Sequence, residues 1–220
     1  MGETMQIRAR GTRITRITRS ALAGGLAALA AVAGLAAAAV PAAAAGQDPS
    51  DTPRYLEPAE LPPHPSSPWY AGPVTAGQPD PLPMCVGEAL PSITSHREYW
   101  TELDTNAQQL TVEGRSEQWS KEFAALLRKD LAGCARTLMQ QDPGITATLK
   151  SYGHLNVEEG ADVYGIHTAS AQGSSDINLF SVGRDGAAVT VVRWGRMGTF
   201  KDAQVADFRT TTVTAVNKLY

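Results

Sequence analysis

The stretch INLFSVGRDGAAVTVVRWGRMG (Ile177–Gly198) decides the fold. Two apolar runs flank Asp185-Gly186, and Asp-Gly is a preferred two-residue hairpin turn because both turn positions need a positive φ. The cross-strand pairs expected with that turn are Val182 with Val189, Phe180 with Val191, Asn178 with Arg193, Ser181 with Thr190, Leu179 with Val192 and Ile177 with Trp194. Both faces of this hairpin are apolar near the turn. We therefore expect a helix on one face, and a pocket or a second layer on the other.

The segment Ser116 to Gln141 is predicted to form a long helix. Ser116 is a suitable N-cap residue, and Pro143-Gly144 ends the segment. Apolar residues recur at steps of three and four, which predicts one core-facing stripe. They are Trp119, Phe123, Leu127, Leu131, Cys134 and Leu138.

The remaining elements complete an α+β domain. Strands or irregular connections are expected at Ser95–Leu103 and Ala107–Glu113, and strands at Ile145–Val157 and Ala161–Ala171. A terminal helix is expected at Asp202–Leu219, although its threonines lower helix propensity. The predicted fold is an antiparallel sheet with a long central helix and a C-terminal helix packed on one side.

Residues 1–45 have the pattern of a secretory signal peptide. Five arginines precede the uncharged run Ala21–Val40, and Ala43–Ala45 place small residues at a cleavage position before Gly46. The alternative is an uncleaved membrane anchor. Cleavage would remove five Arg and one Glu, which takes the net charge from −3 to −7. We expect an extracellular, secreted monomer with no membrane span after cleavage and no nucleic-acid partner, because no basic patch remains.

Residues 46–83 are predicted to be a disordered arm, followed by the domain at 84–220. The arm holds 11 of the 14 prolines, which lack backbone donors and oppose both helices and ladders. Trp69-Tyr70 is the exception, since an aromatic pair can dock on the domain or on a partner.

The two cysteines, Cys85 and Cys134, are predicted to form a disulfide. A disulfide is the default for a pair of cysteines in an exported chain. The alternative, a reactive thiol, lacks a Cys-x-x-Cys pair.

No nucleophile elbow, phosphate loop or dinucleotide fingerprint occurs in the chain, so no catalytic residue, metal ligand or cofactor is assigned. The ligand-binding prediction rests on Arg193, Trp194 and Arg196. Arg can clamp a carboxylate or phosphate, and Trp can supply a stacking surface. The alternative is a core Trp with solvated arginines.

The hairpin Ile177–Gly198 and the segment ADFRTTTVTAVNKLY (Ala206–Tyr220) resemble the end of actinobacterial PknH-like extracellular sensor domains. The resemblance covers about Met84 to Tyr220. It implies an α+β domain with antiparallel strands and helices around a cleft, outside the membrane. That family generally has more than one disulfide, whereas this chain can make one.

These features favour an exported, non-catalytic binding or sensor-like module for a small molecule, a lipid or a cell-envelope component. Two alternatives stay open. One is a cleft hydrolase that uses His154 or His167 with a nearby carboxylate. The other is a structural envelope protein whose arm or helix face docks a partner.

Overall fold

A computed structural model describes residues 52–220. The predicted signal peptide and its cleavage position lie outside the described residues. The strands are β1 (Tyr70–Ala71), β2 (Thr75–Ala76), β3 (Ser95–Trp100), β4 (Asn106–Glu113), β5 (Ile145–Leu155), β6 (Ala161–Ser170), β7 (Ser175–Asp185) and β8 (Ala188–Met197), and the helices are α1 (Glu117–Gln141) and α2 (Val205–Asn217).

The strands form one antiparallel sheet of eight strands in the order β1-β3-β4-β8-β7-β6-β5, with the short β2 also paired to β3. The predicted α+β class and antiparallel sheet are confirmed. Helix α1 begins where the sequence indicated, because the Ser116 hydroxyl accepts a hydrogen bond from the Trp119 amide at 3.2 Å.

The central hairpin forms, but its turn lies one residue later than predicted. Asp185 pairs with Ala188, so the loop is Gly186-Ala187, and Val182 pairs with Val191 rather than Val189. Gly186 adopts φ +50° at the first loop position, where it has no Cβ to strain. The register therefore differs by two residues, and a shift of two leaves every side chain on its expected face.

Helix α1 covers one face of the sheet, which we call the α1 face. Its buried stripe packs against residues that alternate along four central strands. The sheet side of this core consists of Leu110, Val112, Ile166, Phe180, Val182, Val189 and Val191.

Helix α2 covers the opposite face, which we call the α2 face. Phe208 and Ala215 of α2 share a core with Leu179, Val192 and Trp194 of the hairpin. The expectation that both helices pack on one side is therefore wrong. The physical reason lies in the hairpin, since both its faces are apolar and each needs its own cover.

The described part of the proline-rich segment packs on the α2 face, which corrects the expectation of a disordered arm for residues 52–83. Leu56 is 0% exposed and lies in the same core as Trp194. Its amide donates to Gln109 Oε1 at 2.7 Å, and its carbonyl accepts from the Tyr99 hydroxyl at 2.9 Å. At Leu56 the side chains of the sheet take the place of ladder partners, and further along the segment the short strands β1 and β2 pair with β3.

Trp69 is also docked on the domain. It packs against the α2-face core, and its indole Nε1 donates to the Pro62 carbonyl at 2.8 Å. Residues 52–83 are therefore part of the same packed unit as the sheet and helices. Dihedral restriction by the prolines lowers the entropy that the segment loses when it docks.

Cys85 and Cys134 form a disulfide, with a Cα–Cα distance of 5.2 Å. The bond ties the segment before β3 to the buried side of α1. Within residues 52–220, neither helix is long and apolar enough to cross a membrane. The disulfide is compatible with an oxidising, extracellular location.

Candidate functional site

A polar cavity of about 250 Å³ opens on the α1 face. The apolar residues of this face lie near the hairpin turn and under α1, whereas polar residues occupy the other end of the same strands. The cavity is lined by Met84, Asp104, Asn106, Thr168, Asp176, Asn178, Arg193, Gly195 and Arg196. Strands β4, β8, β7 and β6 each contribute side chains, so a rigid sheet positions the site.

The guanidinium of Arg193 is held by two asparagines from neighbouring strands. Its Nε donates to Asn178 Oδ1 of β7 at 3.0 Å, and its Nη2 donates to Asn106 Oδ1 of β4 at 2.8 Å. These bonds use two of the five N–H donors of the group, so it retains donor capacity for a ligand.

Gly195 makes this arrangement possible. It pairs with both Asn106 and Asn178 across the sheet, so the three residues form one row on the α1 face. A Cβ at Gly195 would lie 2.4 Å from Asn178 Oδ1 and 3.2 Å from Arg193 Nη2. The missing side chain therefore leaves the space in which Arg193 meets the two amides.

Burial lowers the pKa of Arg193, and the negative charge of Glu98 on β3 raises it in part. Arginine remains protonated in proteins even when its pKa falls. The site thus contains a fixed, partly desolvated cation whose hydrogen bonds are stronger than those of a fully solvated one.

Carboxylates balance the arginines of the cavity. Asp104 and Asp176 line it together with Arg193 and Arg196, which makes the lining formally neutral. Asp104 Oδ2 accepts a bond from the Met197 amide at 3.1 Å, and this bond fixes the β3–β4 turn beside the cavity. The cavity can therefore both donate and accept hydrogen bonds.

The structure brings together two of the three predicted ligand residues. Arg193 and Arg196 both line the cavity. Trp194 lies on the α2 face, is 0% exposed and packs in the core with Phe208. Successive residues of a strand point to opposite faces, so Trp194 cannot offer an open ring beside Arg193.

Trp100 is an exposed aromatic residue on the same face as Arg193, and sequence reasoning missed it. It is 46% exposed and pairs directly with Asn106, which places it on the α1 face. Tyr70 of β1 stacks on it, with ring centroids 6.2 Å apart and planes inclined by 21°. The position of Trp100 next to Asn106 depends on how β3 aligns with β4, which the sequence alone did not indicate.

His154 lies beside a carboxylate, as one enzyme alternative required. Its Nδ1 is 3.2 Å from Asp162 Oδ1, and the other oxygen of Asp162 pairs with Arg128 Nε at 2.6 Å. The imidazole lies on the edge strand β5, is 52% exposed and does not line the polar cavity. Asp162 thus bridges His154 and Arg128 in a polar cluster at the surface.

His167 contacts a serine whose hydroxyl is also bonded to a backbone carbonyl. Its Nε2 lies 2.8 Å from Ser175 Oγ, and that hydroxyl donates to the Gly198 carbonyl at 3.0 Å. The Gly198 carbonyl can only accept, so the bond to it uses the single proton of Ser175, and in this arrangement Ser175 accepts from His167. A nucleophilic serine would instead donate to the histidine.

No cluster of three metal-ligating side chains occurs within residues 52–220. Comparisons of the chain with protein-family models and with curated proteins found no match. The chemistry of the cavity therefore carries the functional argument.

Proposed function

We propose that this chain is an exported, non-catalytic binding module, of the sensor-like kind that its resemblance to PknH-like domains implies. The observation that carries the proposal is the Arg193 guanidinium, held over Gly195 by Asn106 and Asn178 at the open end of the sheet. A cation that is fixed before the ligand arrives loses little entropy on binding.

The lining of the cavity supports binding rather than turnover. Among residues 52–220, the titratable groups that line it are two arginines and two aspartates, with no histidine, cysteine or lysine. The asparagines and Thr168 add uncharged donors and acceptors. Such a set orients a ligand through hydrogen bonds, and general acid–base work at neutral pH favours a group whose pKa lies near 7.

Native mass spectrometry tests the proposal on protein purified from its own source. We expect a co-purified small molecule that is retained by the wild-type protein and lost from Arg193→Gln. Circular dichroism should show that the variant stays folded. A ligand that binds the variant as tightly as the wild type, or a wild-type protein with no bound molecule and no binding to extracts of its own envelope, would contradict the proposed site.

A further inference from the structure

The exposed aromatic pair beside the cavity identifies a ligand class, an inference that rests on the proposed function. Tyr70 is 38% exposed and Trp100 is 46% exposed. Their rings form a stacked pair on the α1 face, in the same cross-strand row as Asn106 and Gly195. Trp100 is the cross-strand neighbour of Asn106, which lines the cavity, so the two rings form an apolar patch at the polar rim of the site. Apolar patches with a polar rim are typical of interaction sites.

The Tyr70–Trp100 pair is held in place before any ligand binds. The Tyr70 hydroxyl donates to Glu102 Oε1 at 2.8 Å, and β1 pairs Tyr70 with Trp100 across the sheet. Gly72 follows this strand, and a Cβ there would be 3.7 Å from Trp100 Cζ3, so the chain passes close beside the indole. A fixed flat ring offers contact area at a low entropic cost.

The charge of the cavity decides between an anion and a neutral polar ligand. Asp104 and Asp176 offset Arg193 and Arg196, and Glu98 adds a further negative field at Arg193. A free phosphate or carboxylate would therefore meet as much repulsion as attraction. A neutral ligand with many hydroxyls can use the arginines and amides as donors and the carboxylates as acceptors.

A saccharide combines these two requirements. Its hydroxyls match alternating donors and acceptors, and the C–H face of a pyranose ring is apolar enough to pack on an indole. We propose that the row formed by Trp100, Asn106, Gly195 and Asn178, with Arg193 above it, binds a neutral saccharide that stacks on Trp100.

The test measures binding of neutral hexasaccharides to the full exported protein by isothermal titration calorimetry. The panel contains α- and β-linked glucose, mannose, galactose and N-acetylglucosamine oligomers, with inorganic phosphate and phosphatidylglycerol vesicles as anionic comparisons. We expect one or more oligosaccharides to bind, and Trp100→Ala to weaken that binding about tenfold. Trp100→Phe should restore most of the affinity, because it keeps a flat ring.

Leu126→Ala is the matched control, since Leu126 is an exposed apolar residue on α1, away from the row. It should leave saccharide affinity unchanged. The saccharide inference is overturned if no oligosaccharide binds below about 10 mM, or if Trp100→Ala binds as well as wild type. If phosphate or vesicles bind instead and Arg193→Gln abolishes that binding, the saccharide inference fails while the proposed binding site stands. If no measured binding depends on Arg193, both fail.

Discussion

The Arg193 guanidinium occupies the space above Gly195, and an added Cβ there would lie 3.2 Å from Arg193 Nη2. Gly195→Ala should therefore displace Arg193 and push on Asn178 Oδ1, only 2.4 Å from the new atom. We expect the free energy of unfolding to fall by about 1–3 kcal/mol, as in other overpacked sites. Ligand binding should be lost together with the Arg193–Asn178 bond. Urea unfolding and calorimetry measure the two effects.

Gly133→Ala is the control for this substitution. Gly133 lies within α1, and a Cβ there would meet no atom within 4 Å. Replacing a helical glycine by alanine should raise stability by about 0.5–1 kcal/mol and leave binding unchanged. Equal effects from the two substitutions would show that Gly195 has no special role.

Leu56→Ala tests whether the proline-rich segment belongs to the core. Leu56 is fully buried, so its truncation should lower the free energy of unfolding by about 2–5 kcal/mol. Leu82 lies in the same segment but is 44% exposed, and Leu82→Ala should change stability by less than about 0.5 kcal/mol. Chemical denaturation measures both variants.

Limited proteolysis gives an independent check on the same segment. We expect residues 52–71 to resist cleavage at protease concentrations that digest an unfolded chain, because their backbone is bonded to β3, β4 and α2. Rapid release of a fragment that begins near Met84 would instead support the mobile arm expected from the prolines.

Cys85→Ser should lower the free energy of unfolding by about 4 kcal/mol, the chain-entropy value for this loop. The cysteines are 49 residues apart, so the unfolded chain gains much freedom when the bond is lost. A reductant should destabilise the wild type by a similar amount and leave Cys85→Ser unaffected. Two thiols that alkylate in native, unreduced protein would contradict the bond.

Asp185→Asn should stabilise the protein at neutral pH. Burial, with the negative charges of Glu158 and Glu159, raises the pKa of Asp185 above its usual range. The folded state therefore holds the proton of Asp185 more tightly than the unfolded state does. As pH rises from about 4 through the folded pKa, the contribution of Asp185 to the free energy of unfolding decreases. We expect a gain of about 0.5 kcal/mol at pH 7.

The gain from Asp185→Asn should vanish near pH 3, where the carboxyl is protonated in both states. Thermal unfolding of both proteins from pH 3 to pH 7 measures this dependence. A gain that is constant across the range would assign the effect to the geometry of the turn rather than to charge.

Local patterns predicted the elements whose cause is local. Helix α1 follows from an apolar stripe and the Ser116 cap, and the hairpin follows from two apolar runs around a turn. The docked segment could not be predicted in this way. Leu56 is held by Gln109 and Tyr99, which lie far away in the sequence.

The candidate site also combines features that local sequence patterns predict with features that depend on distant residues. Arg193 and Arg196 stand out as a basic cluster, but strand alternation places Trp194 on the face opposite Arg193, and this period was readable from the hairpin alone. Asn106 and Trp100 depend on how β3 and β4 align with β8. Only the register of the whole sheet brings them to Arg193.

The docked segment also sets an order for folding. Arg54 donates its amide to the Lys218 carbonyl at 2.8 Å, and the Thr211 hydroxyl donates to the Glu60 carbonyl at 2.7 Å. Ribosomes make the chain from its N-terminus. Arg54 and Glu60 therefore cannot form these hydrogen bonds until Thr211 and Lys218 have been synthesised. Until then the α2 face of the sheet stays uncovered. Contacts between residues so far apart in the sequence form slowly, and the exposed apolar surface can aggregate in the meantime. A nascent chain that stalls before α2 is complete should therefore depend on a chaperone.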